Sequence, residues 1–519
     1  MSQSSTHPVV NPWIVAIAVM SATFLEVLDT TVVNVSLPHI GGNLSSTVTE
    51  ATWVLTSYLV ANAIILPITG WLGNYFGRKR LLMVSVAGFT LSSFFCGFAV
   101  SLPMLIFFRI LQGAAGGALQ PLSQAVLLEA FPADQRGKAM GFWGLGIVVA
   151  PILGPVLGGW LTDNYSWRWV FYINIPIGIA SLIMIKNYVF DPSYIRRGSG
   201  SIDYWGIGLL AVGIGALQIV LDKGQQEDWF GSNFIVSIVA ISVGCLIAFL
   251  VREAMADHPV VNLGVFRDRT FSTGTFLMTM LGFVMYGSLV LLPIWLQTLL
   301  GYSSLDAGVS MAPRGMGAFI SMPLIGMFLG KYDPRKFLAS GLLLSAGTLW
   351  GFSRLSLTAG YWDFFWPQFL QGISMALLFV PLTTISMGKI AREQMGNATS
   401  VFNLLRNVGG SVGIAIVATI VERTQTSNVS RMVEHVSPFN PQAVQRMHGI
   451  KQMMMAQGVD PARAAQQSAA VTFGVVQRQA TITAYIDTFQ LLAIIFVSLI
   501  PFILLMRKPD KPSGPVAAH

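Results

Sequence analysis

The chain has 519 residues, 53% of them hydrophobic and only 10% charged, with a formal net charge of +8. Soluble proteins average about 25% charged residues, so this balance excludes an ordinary soluble domain and indicates a chain that crosses a bilayer many times. The positive charge is not a nucleic-acid surface, because the basic residues sit in short caps between apolar runs and form no basic face on a soluble domain.

The first dozen residues are polar and lack a basic leader, and the apolar run from Trp13 to Val35 is of span length without a small-residue cleavage signal. An uncleaved first span is therefore expected. Inside it lie Glu26 and Asp29, one helical turn apart. An acid at the centre of a membrane helix costs roughly 2.5–3.5 kcal/mol on insertion scales and usually faces a bundle interior, pairs with a cation, or carries protons or substrate.

Further apolar stretches follow at 52–73, 81–101, 103–127, 139–161, 169–189, 204–221 and 232–251. A second series runs at 271–295, 306–329, 337–357, 363–387, 397–420 and 483–506. With the first, these predict fourteen spans. Alternate connections carry the basic residues, from Arg78-Lys79-Arg80 through Arg196, Arg197, Lys331 and Arg392 to Arg507, Lys508 and Lys511, and hold 19 of the 31. The short loops of the other set hold only Arg168, Lys223 and Arg354. The positive-inside bias then puts both termini in the cytoplasm and the connection 422–482 outside.

The chain also repeats itself. Leu72-Gly73-Asn74-Tyr75-Phe76-Gly77-Arg78-Lys79 matches Leu329-Gly330-Lys331-Tyr332-Asp333-Pro334-Arg335-Lys336 at five of eight positions, 257 residues apart. Leu111-Gln112-Gly113 returns as Leu370-Gln371-Gly372 after 259. Duplication predicts an all-α polytopic protein: a cytoplasmic N-terminus (1–12), a six-helix lobe (13–190), linkers with an inserted two-helix hairpin (191–270), a second six-helix lobe (271–506) and a cytoplasmic tail (507–519). Parallel repeats of this kind build two-lobed secondary transporters with a substrate site between the lobes.

Asp29 is the first candidate for a proton carrier, with Glu26 on the same helical face coupled to it. Arg109 and Arg406, inside spans 4 and 13, balance the two acids. Arginine stays protonated, so each serves as an electrostatic partner and not as a proton donor. Arg314 could sit near a span turn and is given no role. Asn34, Gln112, Gln124, Gln297, Gln368 and Gln371 offer neutral hydrogen-bonding points for a cavity, and Phe142, Trp143, Tyr286, Trp295 and Phe379 could wall it for flat or amphipathic ligands. Gly154, Pro155, Gly158 and Gly159 let helices approach closely and bend span 5.

These strings resemble the major facilitator superfamily. Gly70 to Arg80 is similar to its loop 2–3 motif, Arg109 with Gln112-Gly113 to its span-4 motif, and Gly154-Pro155-Val156-Leu157-Gly158-Gly159 to its antiporter motif. Leu28 to Pro38 resembles the opening of the fourteen-span drug:proton antiporter branch, and Trp167 to Gly178, Leu221 to Gly224, Asp228-Trp229-Phe230 and Ser437 to Asn440-Pro441 look like its EmrB/QacA-type efflux pumps. The resemblance covers about residues 13–506. It implies the major facilitator fold, a gating role for Gly70, Asn74, Gly77, Arg78 and Arg136, and an Asn-x-x-Arg context for Asn403 and Arg406. Where the family carries an acid this chain has Asn74, so a gating salt bridge from there to Arg136 is not available.

The resemblance further implies a bacterial inner-membrane, multi-pass antiporter for hydrophobic drugs or toxicants, working with a periplasmic adaptor (a membrane fusion protein) and an outer-membrane channel. Residues 422–482 are expected to dock the adaptor or shield the outer mouth. No cofactor is expected beyond the proton gradient: there is no nucleotide-binding Gly-x-x-x-x-Gly-Lys-Ser/Thr. The six histidines are scattered without triad or metal spacing, and Cys96 and Cys245 are far apart within apolar segments, so neither an enzyme nor a metal site is indicated. A dedicated exporter of one endogenous compound, such as a fatty acid or secondary metabolite, is the alternative; a non-transporting sensor or scaffold is more remote.

Overall fold

A computed structural model describes residues 11–132, 134–192, 203–256, 259–437 and 439–506. Arg196, Arg197, Pro438, residues 1–10 and the tail from Arg507 lie outside them. Among the described residues the long helices are α1 (Pro12–Asn43), α2 (Trp53–Phe76), α3 (Arg78–Gly97), α4 (Leu102–Ala130), α5 (Arg136–Asn164), α6 (Trp169–Tyr188), α7 (Tyr204–Lys223), α8 (Asn233–Met255), α9 (Arg269–Thr298), α10 (Ser304–Phe328), α11 (Pro334–Phe352), α12 (Tyr361–Ser386), α13 (Met395–Glu434), α14 (Pro441–Ala456) and α15 (Pro461–Ile503). Twelve are long and apolar enough to cross a membrane by themselves. With α10 and α11, which carry more polar residues and pack among them, the span count is fourteen; α14 is not a span.

The connections are short because the sequence supplies caps at the helix starts. Asn11, Ser101, Asp268, Ser303, Asp333 and Asp460 each accept a backbone N–H of the first turn, and proline follows within the first two positions at α1, α4, α11 and α15. Between α2 and α3 the chain turns on Gly77, at φ 90°, where a side chain would be strained.

The pairing of helices repeats. In the first lobe α1 packs on α5, α2 on α4, α3 on α4, and α3 on α6; in the second α9 packs on α13, α10 on α12, α11 on α12, and α11 on α15. This is the duplication read in the sequence, now expressed as packing. The hairpin of α7 and α8 stands outside the scheme: α7 packs on α2 of one lobe and α13 of the other.

Several boundaries differ from expectation. α1 continues through Pro38 to Asn43, past the apolar run, without the one hydrogen bond that proline's missing N–H forfeits. The Gln- and Ala-rich connection 422–482 is helical, as its composition suggests, but its first and last helices are continuous with the spans: α13 runs on to Glu434, α14 is a separate helix, and α15 begins at Pro461, so a helical projection extends past the apolar runs. Arg314 lies within α10, away from any span turn.

The lobes meet along two seams, α5 against α10 and α2 against α13, and close together at the end that carries Gly77. Glycine makes this closure possible. A methyl on Gly70 would lie 2.6 Å from the Asn397 Cα, so α2 and α13 touch backbone to backbone. On α1 the face pointing between the lobes is buried at Glu26, partly exposed at Thr30 and exposed at Asn34 and Pro38. The cleft is thus sealed at one end and widens toward the other.

Candidate functional site

Two polar clusters fill the sealed part of the molecule, one inside the first lobe and one at the lobe interface. The first surrounds Asp29. Arg109 Nη1 reaches Asp29 Oδ2 at 2.5 Å, and both side chains are fully enclosed. Gln112 Nε2 donates to Asp29 Oδ1 at 2.9 Å and Asn174 Nδ2 donates to the same oxygen at 2.7 Å. Arg109 also donates through Nε to the Val54 carbonyl (3.1 Å) and through Nη1 to Gln112 Oε1 (2.8 Å), and its guanidinium carbon sits 4.1 Å from the centre of the Tyr58 ring. Ser93 accepts from Asn174 at 3.0 Å. A charge pair this dry persists because its oxygens and most of its N–H groups are hydrogen-bonded.

The second cluster holds Glu26. Asn62 Nδ2 of α2 donates to Glu26 Oε1 at 3.0 Å, and Gln120 of α4 faces the same carboxyl. The Gln120 carbonyl oxygen accepts from Arg406 Nη2 of α13. One amide therefore bridges an acid of the first lobe and a guanidinium of the second. Glu26 Oε2 is buried with no hydrogen-bond partner among the described residues, so a proton can be added there without breaking an existing bond. The two acids share a helix and not an environment: Asp29 is closed in by α1, α4 and α6 of its own lobe, whereas Glu26 lies where the lobes meet.

Next to Glu26 the interface is tied by Asn403 Nδ2 donating to Gln124 Oε1 (2.6 Å), by Thr399 Oγ1 donating to the Pro121 carbonyl (3.1 Å), and by the stacked rings of Trp143 and Phe379, 6.0 Å apart. These residues lie in the closed part of the cleft. Asn34 and Gln297 are exposed toward its open end, and Tyr286, partly exposed, is pressed on Gly410. Gln371 bonds to Ser345 and Thr348 inside the second lobe, and Gln368 is buried.

Two aromatic expectations require correction. Trp295 does not wall the cleft: it is fully buried among Phe364, Tyr485 and Phe489 in the core of the second lobe, where four large rings fill the space between α9, α12 and α15. Phe142 packs edge-on against Trp13, centroids 5.8 Å apart, on the flank of the first lobe.

At the sealed end Arg78 is 1% exposed and ion-paired with Glu129 at the end of α4. Arg136 donates to the Leu128 carbonyl at 2.9 Å, and Asn74 is partly exposed. Gly154 and Gly158 press on α1: a methyl on Gly154 would lie 2.0 Å from Thr31 Oγ1, and one on Gly158 2.7 Å from the Val32 carbonyl oxygen. Pro155 is partly exposed between them, and Gly159 faces open space.

Sequence reasoning missed Asn62, Gln120, Asn174, Ser93 and Glu129. A usable signal existed for most of them, since an amide inside an apolar span needs a partner. Which acid each would serve depends on the lobe packing.

A two-lobed helical bundle with charges buried inside one lobe and across the lobe interface defines a membrane transporter. The chain belongs to the Major Facilitator Superfamily, which it matches over residues 19–414. It is 40% identical to the multidrug export protein EmrB of Haemophilus influenzae over 88% of this chain and 89% of that one. It is 38% identical to the fatty acid resistance protein FarB of Neisseria gonorrhoeae over 95% and 96%. Among solved structures, the proton:xylose symporter XylE shares the fold, with a TM-score of 0.62 at 14% identity and coverage of 96% and 97%.

Proposed function

We propose that this protein is a proton-coupled antiporter that expels hydrophobic or amphipathic compounds by alternating access. The observation that carries this reading is the bridge from Glu26 through Gln120 to Arg406. When the lobes rock apart at the sealed end, Arg406 leaves with α13 while Glu26 stays with α1, so the surroundings of the carboxyl change in the step that changes access. A proton taken up on one side and released on the other follows from that change. Asp29, with Arg109, Gln112 and Asn174, holds the first lobe's charge distribution fixed behind it. Each charge moved across 100 mV supplies about 2.3 kcal/mol, enough for roughly fifty-fold accumulation of a neutral compound.

The basic connections orient the sealed end toward the cytoplasm of a bacterial inner membrane. The names of the relatives support export of more than one class of compound, drugs in one case and fatty acids in another. The projection of α13, α14 and α15 is the part that would meet a periplasmic adaptor on the way to an outer-membrane channel.

Substrate-evoked proton release in inside-out vesicles tests the reading, with a pH-sensitive dye and a panel of lipophilic cations, uncouplers and fatty acids. Beyond the leak that uncouplers and fatty acids cause in protein-free vesicles, several unrelated compounds dissipate the gradient in wild type and none does in Glu26→Gln. A response to one compound alone identifies a dedicated exporter, and equal responses in both proteins remove Glu26 from the coupling.

A further inference from the structure

The repeat that relates the lobes treats their buried charges unequally. The register that sets Leu111-Gln112-Gly113 on Leu370-Gln371-Gly372, a shift of 259 residues, sets Arg109 on Gln368. The arginine of the first lobe is an amide in the second, and α9 carries no acid where α1 carries two. A guanidinium is nevertheless present: Arg314 enters from α10, 6% exposed, and its Nη2 donates to Ser288 Oγ at 3.3 Å. The second lobe thus buries a cation on α10 with no carboxylate on α9 to neutralise it.

Nothing else on the neighbouring helices takes that place. The acidic side chains of α9, α10 and α12 among the described residues are Asp306, exposed and bonded to Ser303, and Asp363, which caps the start of α12. Neither forms an ion pair with Arg314, and Arg314 Nε is buried without a hydrogen-bond partner. Gln368 Nε2 is likewise buried and unpartnered. It sits one turn before Gly372, the residue whose α-carbon presses on the Arg314 carbonyl. Two sets of unused N–H donors and one uncompensated positive charge therefore occupy the same layer between α9, α10 and α12. Burying such a charge in a low-dielectric interior is costly, and an anion placed beside it offsets that cost.

We propose that Arg314, Ser288 and Gln368 form an anion subsite that receives the carboxylate of an amphipathic substrate, with the apolar part of that substrate lying in the cleft. This rests on the export reading above and names one substrate class for it. A guanidinium fork matches a carboxylate in two parallel bonds, and the Gln368 amide and Ser288 hydroxyl supply further contacts. A neutral or cationic compound gains nothing there, so the subsite sorts substrates by charge.

Equilibrium binding to the full chain in phosphatidylcholine nanodiscs tests it, with decanoate, decanol and tetraphenylphosphonium as probes. Arg314→Gln lowers decanoate affinity by about tenfold or more, the loss of one charge-assisted contact, and leaves tetraphenylphosphonium binding within about twofold. Arg314→Lys recovers part of the decanoate affinity, because it restores the charge without the two-bond fork. If Arg314→Gln does not fold, the pair Ser288→Ala with Gln368→Ala keeps the charge and lowers decanoate affinity several-fold. Unchanged decanoate binding in these variants overturns the proposal, as does an equal fall for both charged probes. Displacement of decanoate by phosphatidylglycerol at one lipid per protein shows a lipid site and overturns it too. Wild type that binds tetraphenylphosphonium but not decanoate sinks the subsite alone, whereas wild type that binds no probe sinks the export reading with it.

Discussion

Asp29 and Glu26 stand one turn apart on α1, yet their surroundings differ. Asp29 accepts from Arg109, Gln112 and Asn174, so its charge is paired once and hydrogen-bonded three times. Asparagine there would leave Arg109 buried without its counterion, which typically costs about 3–5 kcal/mol. Asp29→Asn is expected to lower the melting temperature of the purified protein sharply, and Asp29→Leu with Arg109→Met to recover most of the loss. Glu26→Gln keeps an oxygen for Asn62 and is expected to stay within about 1 kcal/mol of wild type. A melting curve of each variant decides the matter: equal destabilisation by both single substitutions would mean that Glu26 too is a structural charge. At this scale the sequence was legible in part. An acid inside an apolar run is conspicuous whatever surrounds it, and both acids and both arginines could be picked out. Their pairing could not, because it depends on which face of α1 meets α4 and which meets α13.

At the scale of elements, apolar length located the spans well, and the caps explain why so few residues separate them. Length failed where helices leave the bilayer. α13 and α15 continue through polar sequence, and no loss of hydrophobicity marks their true ends, since a helix in water ends at a cap and not at an interface. Asn440 caps α14 and Asp460 caps α15, leaving Phe439 94% exposed at the turn after α13. A single exposed ring is common on protein surfaces, and Phe439 is the apolar group this turn would offer a partner. Phe439→Asp is expected to leave stability within about 0.5 kcal/mol, as surface substitutions do. It should leave proton release in vesicles unchanged and reduce both adaptor crosslinking and efflux from whole cells several-fold. Unchanged crosslinking would make the projection an exterior ornament of the second lobe, with no docking role.

For the whole molecule, the internal repeat announced two lobes before any contact was known, because equivalent strings 257 and 259 residues apart leave little room for another explanation. Which end of the cleft is shut is a matter of packing. Gly70 against Asn397, the Trp143–Phe379 stack and the Gln124–Asn403 bond all lie toward the Gly77 end, while Asn34 is exposed toward the other. Those few ties must break together if the lobes are to rock, and a cysteine placed on either side of them reports the motion. In a background with Cys96 and Cys245 replaced by serine, Asn34→Cys is expected to react quickly with a membrane-impermeant maleimide added outside intact cells. Ala398→Cys, fully buried at the start of α13, should stay unlabelled. Adding a transported substrate draws molecules through the opposite conformation, so labelling at position 34 should slow while substrate cycles. Faster labelling at 398 than at 34 from the outer side would reverse the orientation drawn from the basic connections. A rate at 34 that ignores substrate would mean that the outer mouth does not close, and alternating access would have to be abandoned for this chain.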